Sequence, residues 1–118
     1  MAKKILILDD EELIIRTLAK LLEKNSYEVV VVKNGEDAVA MAEAEDFDLI
    51  ISDIRMPGIN GLEAMKTIYQ GKKIPTIFIT GYADPLLEEE AKQTNAVAYI
   101  YKPFDLSELM EKVKKALG

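Results

Sequence analysis

Five short apolar runs, each followed by an amphipathic stretch, constrain the fold of this chain more than any other feature. The runs are KILIL (4–8), EVVVV (28–32), DLIIS (48–52), PTIFIT (75–80) and AVAYIY (96–101). Each is mostly apolar without clean alternation, the pattern of strands covered on both faces. The stretches between them read as helices. In the first, Ile14, Leu18, Leu21 and Leu22 share a face. Asn34 is a candidate N-cap for the second, which turns Ala38, Val39 and Ala42 inward. The third follows Asn60-Gly61 and carries Leu62, Met65 and Ile68. The fourth has Asp84 as expected N-cap, Pro85 at its first position, Leu87 and Ala91 inward, and Asn95 near its end. In the fifth, Asp105 and Glu108 have capping-box spacing, and Leu106, Leu109, Val113 and Leu117 line one face.

Five strand–helix units in 118 residues predict an α/β fold: a doubly wound, five-stranded parallel sheet with helices on both faces. Right-handed crossovers restrict the topology, and the flavodoxin-like (βα)5 order 2-1-3-4-5 fits best. In that order strands 1 and 3 are neighbours, and a ligand crevice opens at their carboxyl ends. The length suits one domain covering residues 1–118.

Composition narrows the chemistry. There is no Cys, so no disulfide and no thiolate metal site. There is no His either, which removes a Ser-His triad, a His-ligated zinc and a phosphohistidine on this chain. The formal net charge of −6 argues against direct nucleic-acid binding, which needs a basic face. No apolar run approaches the ~18–20 residues that span a bilayer, and the start MAKKILIL is too short for a signal-peptide core. A soluble, cytoplasmic chain without membrane association is expected.

The carboxyl ends of the apolar runs carry polar groups. Strand 1 ends in Asp9-Asp10, strand 3 in Ser52-Asp53, strand 4 in Thr80-Gly81 and strand 5 in Tyr101-Lys102-Pro103. Each has an ordinary explanation alone. Acids before a helix meet the positive end of its dipole. Asp53 suits a turn, Thr80 a strand end, and Lys102 a solvated loop. Their convergence on one rim favours a site. Two carboxylates ~4 Å apart repel by about 4 kcal/mol at an effective dielectric near 20. Clustered acids therefore need a cation or shifted pKa values. Oxygen ligands favour a hard cation such as Mg²⁺. A carboxylate beside it can act as a nucleophile toward phosphorus, with a lysine and a hydroxyl holding the remaining oxygens. Asp53 is the candidate acceptor. Glu11 and Glu12 read as first-turn acids of the first helix.

The stretches ILILDDEE, LIISDIRMPGINGLE, IFITGY and AYIYKPFDLSEL resemble the receiver domain of two-component response regulators, over essentially the whole chain. The most specific string holds Asp53, Met56, Pro57, Gly58, Asn60 and Gly61. The resemblance implies that Asp53 takes a phosphoryl group from a phosphohistidine on a sensor histidine kinase or phosphotransfer protein. It implies Mg²⁺ (or Mn²⁺) held by Asp10, Asp9 mainly through water, Asp53 and the backbone carbonyl of Arg55. Thr80 matches the switch hydroxyl, Lys102 the lysine that pairs with the phosphoryl group, and Tyr99 the aromatic that turns inward. A cis Lys102-Pro103 bond is also implied. Arg55 and Tyr82 fall where side-chain bulk tunes access of water, which suggests slow dephosphorylation. The output face would be helix 4, strand 5 and helix 5, acting on an effector domain or target protein. A phosphorylation-dependent dimer is compatible with this picture. The chain ends where a receiver domain ends, so it suits either a stand-alone regulator or one part of a longer protein.

On this reading the protein is a signalling switch and not a metabolic enzyme. Three other readings fit the residues less well. A haloacid-dehalogenase-type phosphatase also has an Asp at the end of strand 1. Here, however, Glu11 stands two residues after Asp9, no Thr or Val follows as expected, and little chain is left for a cap domain. A degenerate receiver used only for binding is disfavoured because the expected site residues are present. A flavodoxin-type cofactor binder shares the fold, but no Gly- or Ser/Thr-rich loop follows strand 1.

Overall fold

Strand and helix alternate five times, as the apolar runs require. The computed structural model describes residues 2–54, 61–81, 85–92, 94 and 96–117, apart from the side chains of residues 62, 87 and 88. In chain order the elements are β1 (Lys4–Leu8), α1 (Glu12–Lys24), β2 (Glu28–Val32), α2 (Gly35–Ala44) and β3 (Leu49–Asp53). They continue with α3 (Gly61–Tyr69), β4 (Thr76–Thr80), α4 (Pro85–Lys92), β5 (Ala96–Tyr101) and α5 (Leu106–Leu117). The strands form one parallel sheet in the order β2-β1-β3-β4-β5, as expected. Among the described residues no helix is long and apolar enough to cross a membrane.

The period of two along each central strand divides the core. Leu6, Leu8, Ile50 and Phe78 face a cluster completed by Ala38 and Ala42 of α2, Met65 and Ile68 of α3, and Ala91 of α4. Ile5, Ile7, Leu49, Ile51, Ile77 and Ile79 face the other way, onto Leu18 and Leu22 of α1 and Leu109, Met110 and Val113 of α5. Covering both faces is why β1, β3 and β4 show no polar alternation. The edges differ. On β5 the register slips beside Thr76-Ile77, so Val97 has no partner between the Ala96 and Ala98 pairings and stands 52% exposed. A bulge of this kind interrupts an otherwise open edge.

The inward faces depart from the sequence reading at two helices. In α1, Ile15 joins Leu18 and Leu22 as buried, while Ile14 and Leu21 pack against the cluster from its flank. The buried stripe is centred on positions 15, 18 and 22, and the expected residues form its margin. In α5, Met110 completes the buried stripe with Leu109 and Val113, and Leu106 is 39% exposed. Leu106 is the first residue of the helix, one turn before that stripe begins.

Helix ends follow local hydrogen bonding. The Asn34 side chain accepts the Asp37 N–H at 2.8 Å and caps α2 as anticipated. Asp105 accepts both the N–H (2.9 Å) and the hydroxyl (2.7 Å) of Ser107, so Ser107 satisfies the carboxylate that the spacing had paired with Glu108. Pro85 opens α4 as expected. The anticipated Asp84 cap and Asn95 lie outside the described residues, as do the side chains of Leu62 and Leu87. Helix α1 ends in a Schellman arrangement. Tyr27 N–H bonds Leu22 O at 3.1 Å and Ser26 N–H bonds Glu23 O at 3.0 Å. That geometry places Ser26 at φ 69°, a left-handed conformation that glycine adopts freely and serine does not. Ser26→Gly should therefore stabilise the fold by roughly 0.5–1 kcal/mol, the relieved strain exceeding glycine's extra unfolded-state freedom. The check is a higher urea midpoint at unchanged m-value.

Candidate functional site

Parallel register sets the positions of the site residues. Leu8 pairs with Ser52, so the next residues, Asp9 and Asp53, leave β1 and β3 side by side. Thr80 pairs with Tyr101 at the ends of β4 and β5, and Lys102 N–H bonds Thr80 O at 2.7 Å. The Lys102-Pro103 peptide is cis, as expected. Gly81 lies against the Lys102 stem: a Cβ there would sit 3.9 Å from Lys102 Cβ and Cδ.

The three expected acids converge. Asp9, Asp10 and Asp53 each offer a carboxylate oxygen, and these atoms lie within 4.8 Å of one another. At that spacing each pair of charges repels by about 3 kcal/mol or more at an effective dielectric near 20. Asp9 and Asp53 are almost fully buried, whereas Asp10 is exposed. Burial pushes the Asp9 carboxyl up from its ordinary value, outweighing the Glu11 N–H at 2.9 Å and the Lys102 charge. Among the described residues one ammonium compensates the acids. Lys102 Nζ donates to Glu11 Oε1 at 2.7 Å, Asp53 Oδ2 at 3.0 Å and Asp9 Oδ2 at 3.3 Å. Burial acts to lower its pKa, but the bonds to Glu11 and Asp53 and the charges of Asp53 and Asp9 together hold it above the ordinary lysine value. The ion pairing is uneven. Lys102 has three anionic partners, and Asp9 has only the longest of the three contacts in return.

The donor set suits a hard divalent cation. It is all oxygen, clustered, and has one exposed member through which a hydrated ion can enter. Arg55, whose carbonyl was expected to contribute, lies outside the described residues, as do Met56 to Asn60 and Tyr82. Thr80 is buried at the rim, and its backbone is tied to Lys102. Tyr99, half-buried, packs between Phe78 (centroids 6.5 Å) and Tyr101 (5.3 Å), two strand pairings before the Thr80–Tyr101 pair.

Glu11 corrects the sequence reading. It precedes α1 at the N-cap position, with extended backbone and no side-chain cap bond, and its carboxylate turns to Lys102. Glu12 is the first-turn acid, and it pairs with Lys33 at 2.9 Å. An acid just after Asp9-Asp10 is near the rim by chain distance alone. Helix-dipole preference gave it a sufficient local explanation, which hid the lysine 91 residues away.

The site is thus an acid-lined crevice at the switch point of a doubly wound sheet, with one lysine reaching in from the far strand. Doubly wound proteins bind their ligands at this place. The profile of the response regulator receiver domain matches residues 5–114, and the chain belongs to that family, the receiver module of two-component signalling. The transcriptional regulatory protein PdtaR of Mycobacterium tuberculosis is 34% identical over 117 residues, 98% of this chain and 57% of PdtaR. This chain therefore spans a little over half of that relative. The polar-differentiation response regulator DivK of Brucella anthropi is 34% identical over 121 residues, covering 100% of this chain and 98% of DivK. A CheY-like receiver domain from Methanospirillum hungatei superposes with a TM-score of 0.95 at 32% identity, over 99% of this chain and 94% of that one. The response regulator TrrA of Thermotoga maritima, solved in complex with Mg(2+)-BeF, gives 0.87 at 38% identity, over 98% and 99%.

Gly61 explains one glycine of the string after β3. Its N–H bonds Ile54 O at 2.9 Å, which draws the start of α3 onto the end of β3. A Cβ at Gly61 would lie 1.9 Å from Asp53 O and 2.5 Å from Ser52 Oγ. Gly61→Ala should cost about 1–3 kcal/mol by overpacking. Gly71→Ala meets nothing nearer than Ile68 O at 3.9 Å and should be neutral or slightly stabilising. Urea denaturation of the two variants makes the comparison.

Proposed function

We propose that Asp53 is the phosphoacceptor of a Mg²⁺-dependent switch operated by a sensor histidine kinase or phosphotransfer protein. The observation that carries this reading is the placement of Asp53. It is 5% exposed, at the end of β3, 3.0 Å from the Lys102 ammonium and clustered with Asp9 and Asp10. A carboxylate oxygen of Asp53 attacks phosphorus, the P–N bond of the donor's phosphohistidine breaks, and the electron pair stays on the imidazole. Lys102 turns an N–H toward a phosphoryl oxygen, and the Thr80 hydroxyl approaches another. Mg²⁺ (or Mn²⁺), held by Asp9, Asp10, Asp53 and, by family match, the Arg55 carbonyl, neutralises acids and phosphoryl oxygens when bound.

The new charge biases a two-state equilibrium. Thr80 and Lys102 are joined through backbone, so their movement passes to β4 and β5, and Tyr99 shifts with them. The output face on this reading is α4–β5–α5, acting on an effector domain or target protein, with a phosphorylation-dependent dimer as one form of output. The domain, taken as residues 1–118, works in the cytoplasm and catalyses only its own phosphorylation and slow dephosphorylation. Arg55 and Tyr82 are the residues assigned to slowing that hydrolysis.

Acetyl phosphate with Mg²⁺ should label wild-type protein with one base-labile phosphoryl group per chain. Asp53→Ala, or wild type in excess EDTA, should show no label above background. Repeated turnover of a phosphomonoester would instead favour the phosphatase reading. A wild type that takes no label would favour a receiver kept only for binding.

A further inference from the structure

Glu11 is the one acid at the rim to which the phosphorylation reading gives no task. We infer that Glu11 is a positioning residue that holds Lys102 in the unphosphorylated state and competes with the phosphoryl group for its ammonium. The inference rests on the phosphorylation reading, which supplies the competing partner.

Both members of the pair are anchored by the pocket's own backbone. Glu11 N–H is bonded to Asp9 Oδ1 at 2.9 Å, which fixes its Cα beside the acidic cluster. Lys102 N–H is bonded to Thr80 O at 2.7 Å, and its stem runs along Gly81. Glu11 stands at the N-cap of its helix and makes no side-chain cap bond. Its side chain is 56% exposed, against 13% for Lys102, yet it makes the shortest of the three contacts to Nζ.

An ammonium has three N–H donors. Here Asp9, Glu11 and Asp53 take them. A phosphoryl oxygen on Asp53 gains one only if a present bond is given up. Asp9 and Asp53 belong to the cluster that offers ligand atoms to a cation, and Glu11 does not. Its hold on Lys102 therefore persists whatever fills that cluster, and it opposes the phosphorylated state to the extent that Nζ must move away from Glu11 to meet the phosphoryl oxygen. A charge-assisted bond with one half-exposed partner corresponds to about three- to tenfold in the equilibrium.

The test titrates beryllium fluoride, a phosphoryl stand-in, into the full chain at saturating Mg²⁺, followed by amide NMR signals. Saturating metal keeps the loss of a nearby negative charge from acting through Mg²⁺ affinity. Glu11→Gln should bind about three- to tenfold more tightly than wild type. Glu12→Gln removes the same charge one residue away, from an acid paired with Lys33, and should stay within about twofold of wild type. In metal-free protein the Lys102 Nζ resonance should move in Glu11→Gln and not in Glu12→Gln, a signature that a merely structural Glu11 would not produce. Equal or weaker binding by Glu11→Gln, or equal tightening by Glu12→Gln, overturns the competition while leaving the phosphorylation reading intact. A wild type that responds to neither beryllium fluoride nor acetyl phosphate overturns both.

Discussion

The crowding of carboxylates at one end of the sheet is the constraint to which the rest of the structure answers. Parallel pairing carries Asp9 and Asp53 out of the core together, because Leu8 and Ser52 are paired just before them. Burial then makes their charges costly, since desolvation penalises the ionised form. Among the described residues one lysine meets them, and it reaches the site from the end of β5, two strands beyond β3 in the sheet. The order β2-β1-β3-β4-β5 is therefore as much a part of the electrostatics as of the fold. Any order that moved β1 away from β3 would leave the acids apart and the lysine without its partners.

The architecture was legible because its signal is redundant. Five apolar runs without alternation state both the strand count and the two covered faces, and no single residue carries the inference. The acids, Thr80 and Lys102 were legible for a similar reason: each sits just past an apolar run, and parallel strands bring such positions to one rim. What sequence reading missed lies where two local explanations compete. Ile14 and Ile15 both fit a helical stripe, and only the angle of α1 on the sheet makes Ile15 the buried one. Glu108 has the spacing of a capping box, but Ser107 offers two donors to Asp105 at shorter range. Glu11 satisfied the preference for acids at a helix start, so nothing local pointed to Lys102.

Gly61 shows how closely scaffold and site are joined. The turn from β3 into α3 brings backbone against the carbonyl of Asp53 itself, at a distance that admits no side chain. The same contact closes the core beneath it, where Ile54, Ala64 and Met65 pack together. Asp53 thus meets main chain on one side and an ammonium on the other. The ammonium, unlike the main chain, can change partners.

That asymmetry gives the proposed switch a short mechanical path. The acids leave strand ends in the centre of the sheet, where Leu8, Ser52, Ile54 and Thr80 are buried. The lysine directly follows β5, an edge strand with a bulge at Val97 and a face only partly covered. Edge strands have fewer contacts to break and are the cheaper element to move. Tyr99 stands on that strand, packed against Phe78 of the core and Tyr101 at the rim. A change in what Lys102 holds is therefore felt first by a partly covered edge strand. Lys102 N–H is bonded to Thr80 O, so β4 is coupled to the same event. A charge gained at a buried carboxylate can then be read, through β4, at the edge of the sheet.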